Sequence, residues 1–188
     1  MTDELRLTRE ELEAGLSVIR EAPKDGGVIA MIARRPAEGQ REILEKGELS
    51  VTEGLVGDTW NVRASSSTPE GSPNPDSQLT LMNARMIALA AQEESRWPLA
   101  GDQFYVDMDL SKENLPPGTR LSIGTALIEV TAKPHTGCGK FIDRFGLDAM
   151  TFVNSETGRD LRLRGMYARV IRPGMVRRGD VVRIVEAS

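Results

Sequence analysis

The chain has 188 residues, of which 39% are hydrophobic and 28% charged, and a net charge of −4. That length suits one domain with its own core and no disulfide or metal staples; the composition excludes a disordered chain, and the acidic balance excludes a general nucleic-acid binder. The longest aliphatic run, Val28 to Ala33, falls far short of the ~20 residues of a spanning helix, so no membrane segment is expected.

The first residues, Met1 to Arg6, are charged and lack the basic and apolar regions of a signal peptide. The single Cys has no internal partner, so a cytoplasmic protein is expected. Thr8-Arg9-Glu10-Glu11 fits a capping box. Leu12, Leu16 and Ile19 follow at helical spacing, and Pro23 and Gly26-Gly27 end the element. Val28 to Ala33 reads as a strand stopped by Pro36, and Glu48 to Val51 as a shorter one before Gly54-Leu55-Val56-Gly57-Asp58. Residues 64 to 78 are rich in Ser, Pro and Gly and read as a loop. Trp60 and Arg63 just precede it, and entry into a pocket and simple packing are both open to them. Gln78 to Met82 reads as a strand, and Asn83 caps a helix to about Ser95 with Met86, Ile87, Leu89 and Ala90 on its apolar side.

Phe104 to Met108 alternates moderately, and Pro116-Pro117-Gly118 is a turn. Arg120 to Ile123 and Ala126 to Thr131 flank Gly124-Thr125, a hairpin signal. A short helix is expected over Lys140 to Met150. Met166 to Ile171 and Val181 to Val185 close the chain around Pro-Gly and Gly-Asp turns. Many short strands with few helices argue for a barrel or sandwich rather than a doubly wound sheet.

Charge is uneven. From Lys133 to Arg183 there are eleven Lys or Arg against five Asp or Glu. A basic region in an acidic chain suggests a small anionic ligand, although solvated strand faces would count the same way. Cys138 lies in this region, in Lys133-Pro-His-Thr-Gly-Cys-Gly-Lys-Phe141. An isolated Cys is often inert core, but this one has Gly, Lys, His and Thr around it. A helix start and nearby cations favour the thiolate, the form that attacks electrophiles and binds metals. Gly137 and Gly139 leave room for a ligand at the sulfur. One Cys and one His do not make a structural zinc site. The chain has neither a phosphate-loop motif nor a serine nucleophile elbow.

Lys133 to Phe141, placed after Leu121 to Thr131, resembles the signature of MOSC domains, named after the C-terminal domain of molybdenum cofactor sulfurase. Gly54 to Asp58, Gln78 to Met82 and Leu115 to Gly124 agree in order, so the resemblance spans roughly residues 28 to 185. It implies a mainly β fold, a pyruvate-kinase-type β-barrel with a few peripheral helices. Residues 28–188 would form the barrel, and residues 1–27 an N-terminal helical extension packed on it. It further implies that Cys138 is the metal ligand to a molybdenum cofactor (molybdopterin) or carries a persulfide. The expected cofactor-binding residues are Lys133, His135, Thr136, Lys140, Arg144 and Arg164. A soft thiolate suits a metal already held by sulfur.

Two positions depart from the family pattern. Thr59-Trp60 follows Asp58 where many members have His, and Gly137 stands where many have Pro. Within these 188 residues neither the N-terminal β-barrel of the longer molybdenum enzymes nor a pyridoxal-phosphate desulfurase domain is expected. Pyridoxal phosphate would therefore enter only through a partner cysteine desulfurase, and electrons through a donor protein. Three readings stay open: a cofactor-binding protein that reduces a small oxidised substrate, a sulfur carrier, and a non-enzymatic ligand-binding barrel.

Overall fold

The computed structural model describes residues 5–186; residues 1–4 and 187–188 of the two expected regions lie outside the described residues. The capping box forms as written: the Thr8 hydroxyl accepts from the Glu11 amide, and the Glu11 carboxylate accepts from Thr8 N at 2.8 Å. What reads as one helix is two, α1 (Arg9–Ala14) and α2 (Leu16–Arg20), parted at Gly15. A Cβ at Gly15 would lie 2.5 Å from the Leu89 side chain, so the break is also a close approach to the next helix.

The strands follow in order as β1 (Gly27–Arg34), β2 (Glu42–Leu44), β3 (Lys46–Ser50), β4 (Gly54–Leu55) and β5 (Leu79–Asn83). After β5 the Asn83 side chain accepts from Arg85 N and Met86 N and starts α3 (Ala84–Ala91), which ends at left-handed Gln92, short of Ser95. A 3-10 stretch, Glu94–Ala100, leads to β6 (Phe104–Asp107), then the hairpin β7 (Arg120–Ile123) and β8 (Ala126–Val130). The expected helix over 140–150 is split at Gly146, whose φ is +93°, into α4 (Gly139–Phe145) and α5 (Leu147–Asn154). Next come α6 (Glu156–Asp160), β9 (Met166–Arg172), β10 (Gly174–Arg177) and β11 (Val181–Val185).

Seven strands run in the order β11-β7-β8-β9-β5-β6-β1, and β1 pairs back to β11 through Gly27 and Val28, closing a barrel. Strand β2 extends β1 at one end, and β10-β3-β4 forms a separate three-stranded sheet. The barrel is mixed: β5 and β6 are parallel, because α3 and the 3-10 stretch return the chain to the same end, as a parallel pair requires. All other neighbours in the barrel are antiparallel.

Alternation sorts the side chains into two cores. Ile29, Ile32, Leu81, Phe104, Val106, Ile128 and Ala168 share one cluster, the barrel interior. Their neighbours Met31, Ala33, Met82 and Tyr105 join a second, with Leu12, Ile19, Met86, Phe141, Phe145 and Phe152 from the helices. Strands β5 and β6 are buried on both faces because helices cover their outer side, and for that reason Phe104 to Met108 shows little alternation in sequence. No helix among the described residues is long and apolar enough to cross a membrane.

Candidate functional site

The chain from Thr131 to Cys138 leaves the barrel without regular structure and is held by specific bonds. Thr131 N donates to Tyr167 O at 3.0 Å, and its hydroxyl donates to Asp76 O at 2.6 Å. Asn154, at the end of α5, clamps Gly137 from both sides: Gly137 N donates to Oδ1 at 2.8 Å, and Nδ2 donates to Gly137 O at 3.1 Å. A Cβ at Gly137 would sit 3.1 Å from Val153 and 3.2 Å from Met150, so the tight seat explains a small residue there. The clamp sets the direction in which Cys138 leaves. Cys138 is the cap residue of α4, extended at φ −131°, and its thiol is exposed and makes no capping bond.

Cys138 opens onto a cavity of about 940 Å³, at the upper end of what a small-molecule site offers. One wall is the start of α4, with Lys140, Phe141 and Arg144. A second is the stretch after β1, with Arg35, Glu38 and Arg41. The loop from Thr59 to Ser77, including Trp60 and Arg63, makes the third, and Arg164, just before β9, and Tyr167, within it, complete the lining. Among the described residues six cations line this space and Glu38 is the one carboxylate.

Two of those cations are neutralised from behind. Asp58, whose side chain is fully buried, accepts from Arg35 Nε at 3.1 Å, Nη2 at 2.9 Å and backbone N at 2.7 Å. It also accepts from Trp60 N and from Gln103 Nε2, itself tied to Thr80. Burial alone would raise this carboxyl, but the bonds and charge of Arg35 outweigh it and bring it below the usual range. Asp102, also fully buried, accepts from Arg164 Nη1 at 2.7 Å. Arg41 and Arg144 bond only carbonyls, of Pro98 and Gln40 for the first and of Leu99 for the second. Among the described residues no carboxylate pairs with either. Burial, then the charges of Arg144, Arg35 and Arg63, lower the Arg41 pKa, and burial and Arg35 do the same for Arg63. Like charges this crowded favour an anion between them.

Of the residues expected from sequence, Cys138, His135, Lys140, Arg144 and Arg164 line this cavity. Lys133 and Thr136 do not. They line a second cavity of about 500 Å³ on the other side of the segment, with Lys112, Arg159 and Arg162. The run 133–138 is irregular, so its side chains leave in no fixed alternation, and it divides between two cavities. Lys133 instead places Nζ 5.7 Å from the Tyr167 ring centroid. Arg164 lines the cavity in a different way from the others. It is 8% exposed, tied to Asp102 and the Ala100 carbonyl, and packed over Phe141, so it is a braced wall rather than a free hand for a ligand. Arg35, Arg41, Asp58 and Asp102 are not evident from sequence. The only signal for them is an Arg-Arg pair at the end of β1 and a Gly-Asp turn.

His135 is 9% exposed in its side chain and stacked on Tyr167, with ring centroids 4.5 Å apart. Burial, then Arg164, Arg35 and Lys133, push its pKa well below the ordinary 6.5. The folded ring thus stays neutral where an unfolded one would take a proton, so falling pH favours the unfolded chain. His135 is the only His, which isolates its effect. Between about pH 7 and 5, unfolding free energy should fall as pH falls, with a slope approaching ~1.4 kcal/mol per pH unit. A His135→Gln variant should lack that component in urea titrations. Parallel profiles for the two proteins would mean that the ring protonates freely in the fold.

Solved structures resemble the whole barrel. A hypothetical protein superposes with a TM-score of 0.57 at 21% identity, over 90% of this chain and 71% of its own. The YUAD protein from Bacillus subtilis gives 0.59 at 16% identity, over 86% and 97%. YiiM from Escherichia coli gives 0.54 at 20% identity, over 86% and 71%. These likenesses show the fold. No curated protein matches the sequence. The MOSC domain family matches residues 72–183, from the loop before β5 through the Cys138 segment to β11. With the barrel, the cysteine segment and this match in agreement, the chain belongs to the MOSC domain family, which is associated with the molybdenum cofactor.

Proposed function

We propose that this protein binds the molybdenum cofactor, with Cys138 Sγ as its ligand to the metal. The carrying observation is a single exposed thiol opening onto a cavity with six cations and one carboxylate. The donor set fits the group. Among the described residues no cluster of three or more His, Cys, Asp or Glu is placed to hold a metal, so a metal on Cys138 would bring its other ligands with it. A soft thiolate suits a metal already held by sulfur. Arg35, Arg63, Lys140 and Arg144 would meet the phosphate, with bidentate geometry available from the guanidinium groups. When bound, the group supplies two-electron chemistry for a small oxidised substrate. The residues here bind, orient and neutralise; Asp58 and Asp102 keep Arg35 and Arg164 in place from behind.

Protein purified without oxygen from a host that makes the cofactor should carry near-stoichiometric molybdenum and pterin. Cys138→Ser should fold equally well, since the side chain is exposed, and should lose the molybdenum. A wild-type protein free of metal in such a host would refute this reading.

A second reading, a persulfide carrier served by a cysteine desulfurase, is favoured by one observation. The Cys138 thiol is exposed, and a Cβ built at the neighbouring Gly139 meets nothing within 4 Å, so no side chain crowds the chain just beyond the thiol against a partner protein. Incubation with a desulfurase and cysteine would then add the mass of one sulfur atom at Cys138.

A further inference from the structure

Among the described residues His135 alone lines both cavities. Its Nδ1 is buried and has no hydrogen-bond partner among the described residues, 3.8 Å from Asp102 Oδ1, which is likewise buried and without one. Arg164 Nε, on the same side chain that pairs with Asp102, is a third such atom. The backbone at their side is Gly165, with φ +108°. A Cβ there would lie 3.3 Å from His135 Nδ1, 3.4 Å from Asp102 Oδ1 and 2.5 Å from Leu81 O. A bulkier residue would therefore crowd the approach of ring and carboxylate. Buried polar atoms are rarely left unpaired, and here three lie together at the base of the cationic cavity.

We propose that His135 and Asp102 form a proton-holding pair coupled to the cationic cavity: when a phosphate group binds there, one proton is taken from solvent and held between Nδ1 and Oδ1. The inference rests on the anion-binding reading of the cavity, though not on the metal. Around the ring stand Arg164 from the segment before β9, Arg35 after β1 and Lys133 on its own segment. Tyr167 lies against it, and Lys112, Arg159 and Arg162 line the second cavity beside it. Apart from Asp102, whose carboxyl burial pushes up against the pull of Arg164, every charge around the ring is positive, and burial together with this field keeps the ring neutral in the free protein. A bound phosphate cancels part of it. Asp102 Oδ1 then accepts the Nδ1–H of a charged imidazole, and two orphaned atoms become partners. The proton can arrive from the second cavity while the anion occupies the first. By linkage, phosphate binds more tightly at lower pH. In a reductase, the pair would keep a proton beside the Cys138 cavity.

Untagged protein has a single imidazole, so its ring 15N signals report on His135 alone. With inorganic pyrophosphate as probe, the ring's titration midpoint should rise by about 1 unit or more, a tenfold gain in proton affinity. Calorimetry in two buffers of different ionisation heat should show proton uptake on binding. Asp102→Asn should still bind pyrophosphate but lose most of the rise. Lys140→Gln, at an exposed position, should need more pyrophosphate for the same rise; an unchanged requirement would place the anion elsewhere and overturn the proposal. Saturable binding with an unmoved midpoint sinks the coupling and leaves the anion cavity standing. Absence of saturable binding sinks both. The wild-type and Lys140→Gln titrations decide the matter even if Asp102→Asn does not fold.

Discussion

Asp58→Ala is expected to lower the unfolding free energy by about 3–5 kcal/mol, the range found when one partner of a buried ion pair is removed. The carboxylate is fully buried and accepts from Arg35 at three atoms, from Trp60 N and from Gln103 Nε2. Its loss leaves Arg35, 14% exposed in its side chain, without its counter-charge. Arg35 borders the cavity and can turn toward solvent, so the lower end of the range is expected. The turn at Thr59 and Trp60 loses its anchor at the same time, so phosphate affinity should weaken as well. Urea titration at neutral pH measures the first effect. A change below 1 kcal/mol would mean that solvent already screens the pair. Asp58→Asn keeps the shape and removes the charge. Because the folded carboxyl lies below its usual 3.8, its contribution is complete above that value and lost as pH falls through the lower, folded pKa. The stability gap between wild type and Asp58→Asn should therefore close under acid conditions.

The second large effect lies in the barrel. Phe104 is completely buried on β6, paired to β1 on one side and to β5 on the other. Phe104→Ala removes a ring from the interior cluster of Ile32, Leu81 and Val106. A closed barrel has little freedom to collapse into the space. A loss of about 3–5 kcal/mol is expected, lost transfer energy and residual cavity together. Phe104→Leu retains much of the volume and should cost clearly less. Equal costs for the two variants would show that ring shape, rather than volume, governs this layer. Since domains of this kind are stable by roughly 5–15 kcal/mol, Phe104→Ala should unfold at markedly lower denaturant but still fold in buffer.

Local order was legible in the residues. The capping box at Thr8 formed because its groups lie within one turn of each other. The hairpin around Gly124 formed because its turn needs a residue that tolerates positive φ, here +59°. The main strands were visible through β-branched runs, and the Cys138 segment through polar and glycine neighbours around one thiol. Short strands were missed. β2, β4 and β10 have two to four residues, too few for a period of two to register. The break at Gly146 was missed because Phe141 and Phe145 continue the apolar pattern up to it and Ala149, Phe152 and Val153 resume it beyond.

Taken alone, the sequence determined that Cys138 would stand apart from the core, that a basic region would surround it, and that short strands would dominate the fold. Those are properties of neighbours along the chain. Which cations share its cavity was decided only by barrel closure, which brings Arg35 and Arg63 to Arg144 and Arg164. Their charges repel, and Asp58 holds Arg35, Asp102 holds Arg164 and the Leu99 carbonyl holds Arg144 in place against that repulsion. The division of Lys133, His135 and Thr136 between two cavities was likewise a tertiary outcome. It follows from the side of the chain on which each side chain leaves once Asn154 has fixed Gly137, and no count of charges along the sequence contains that direction.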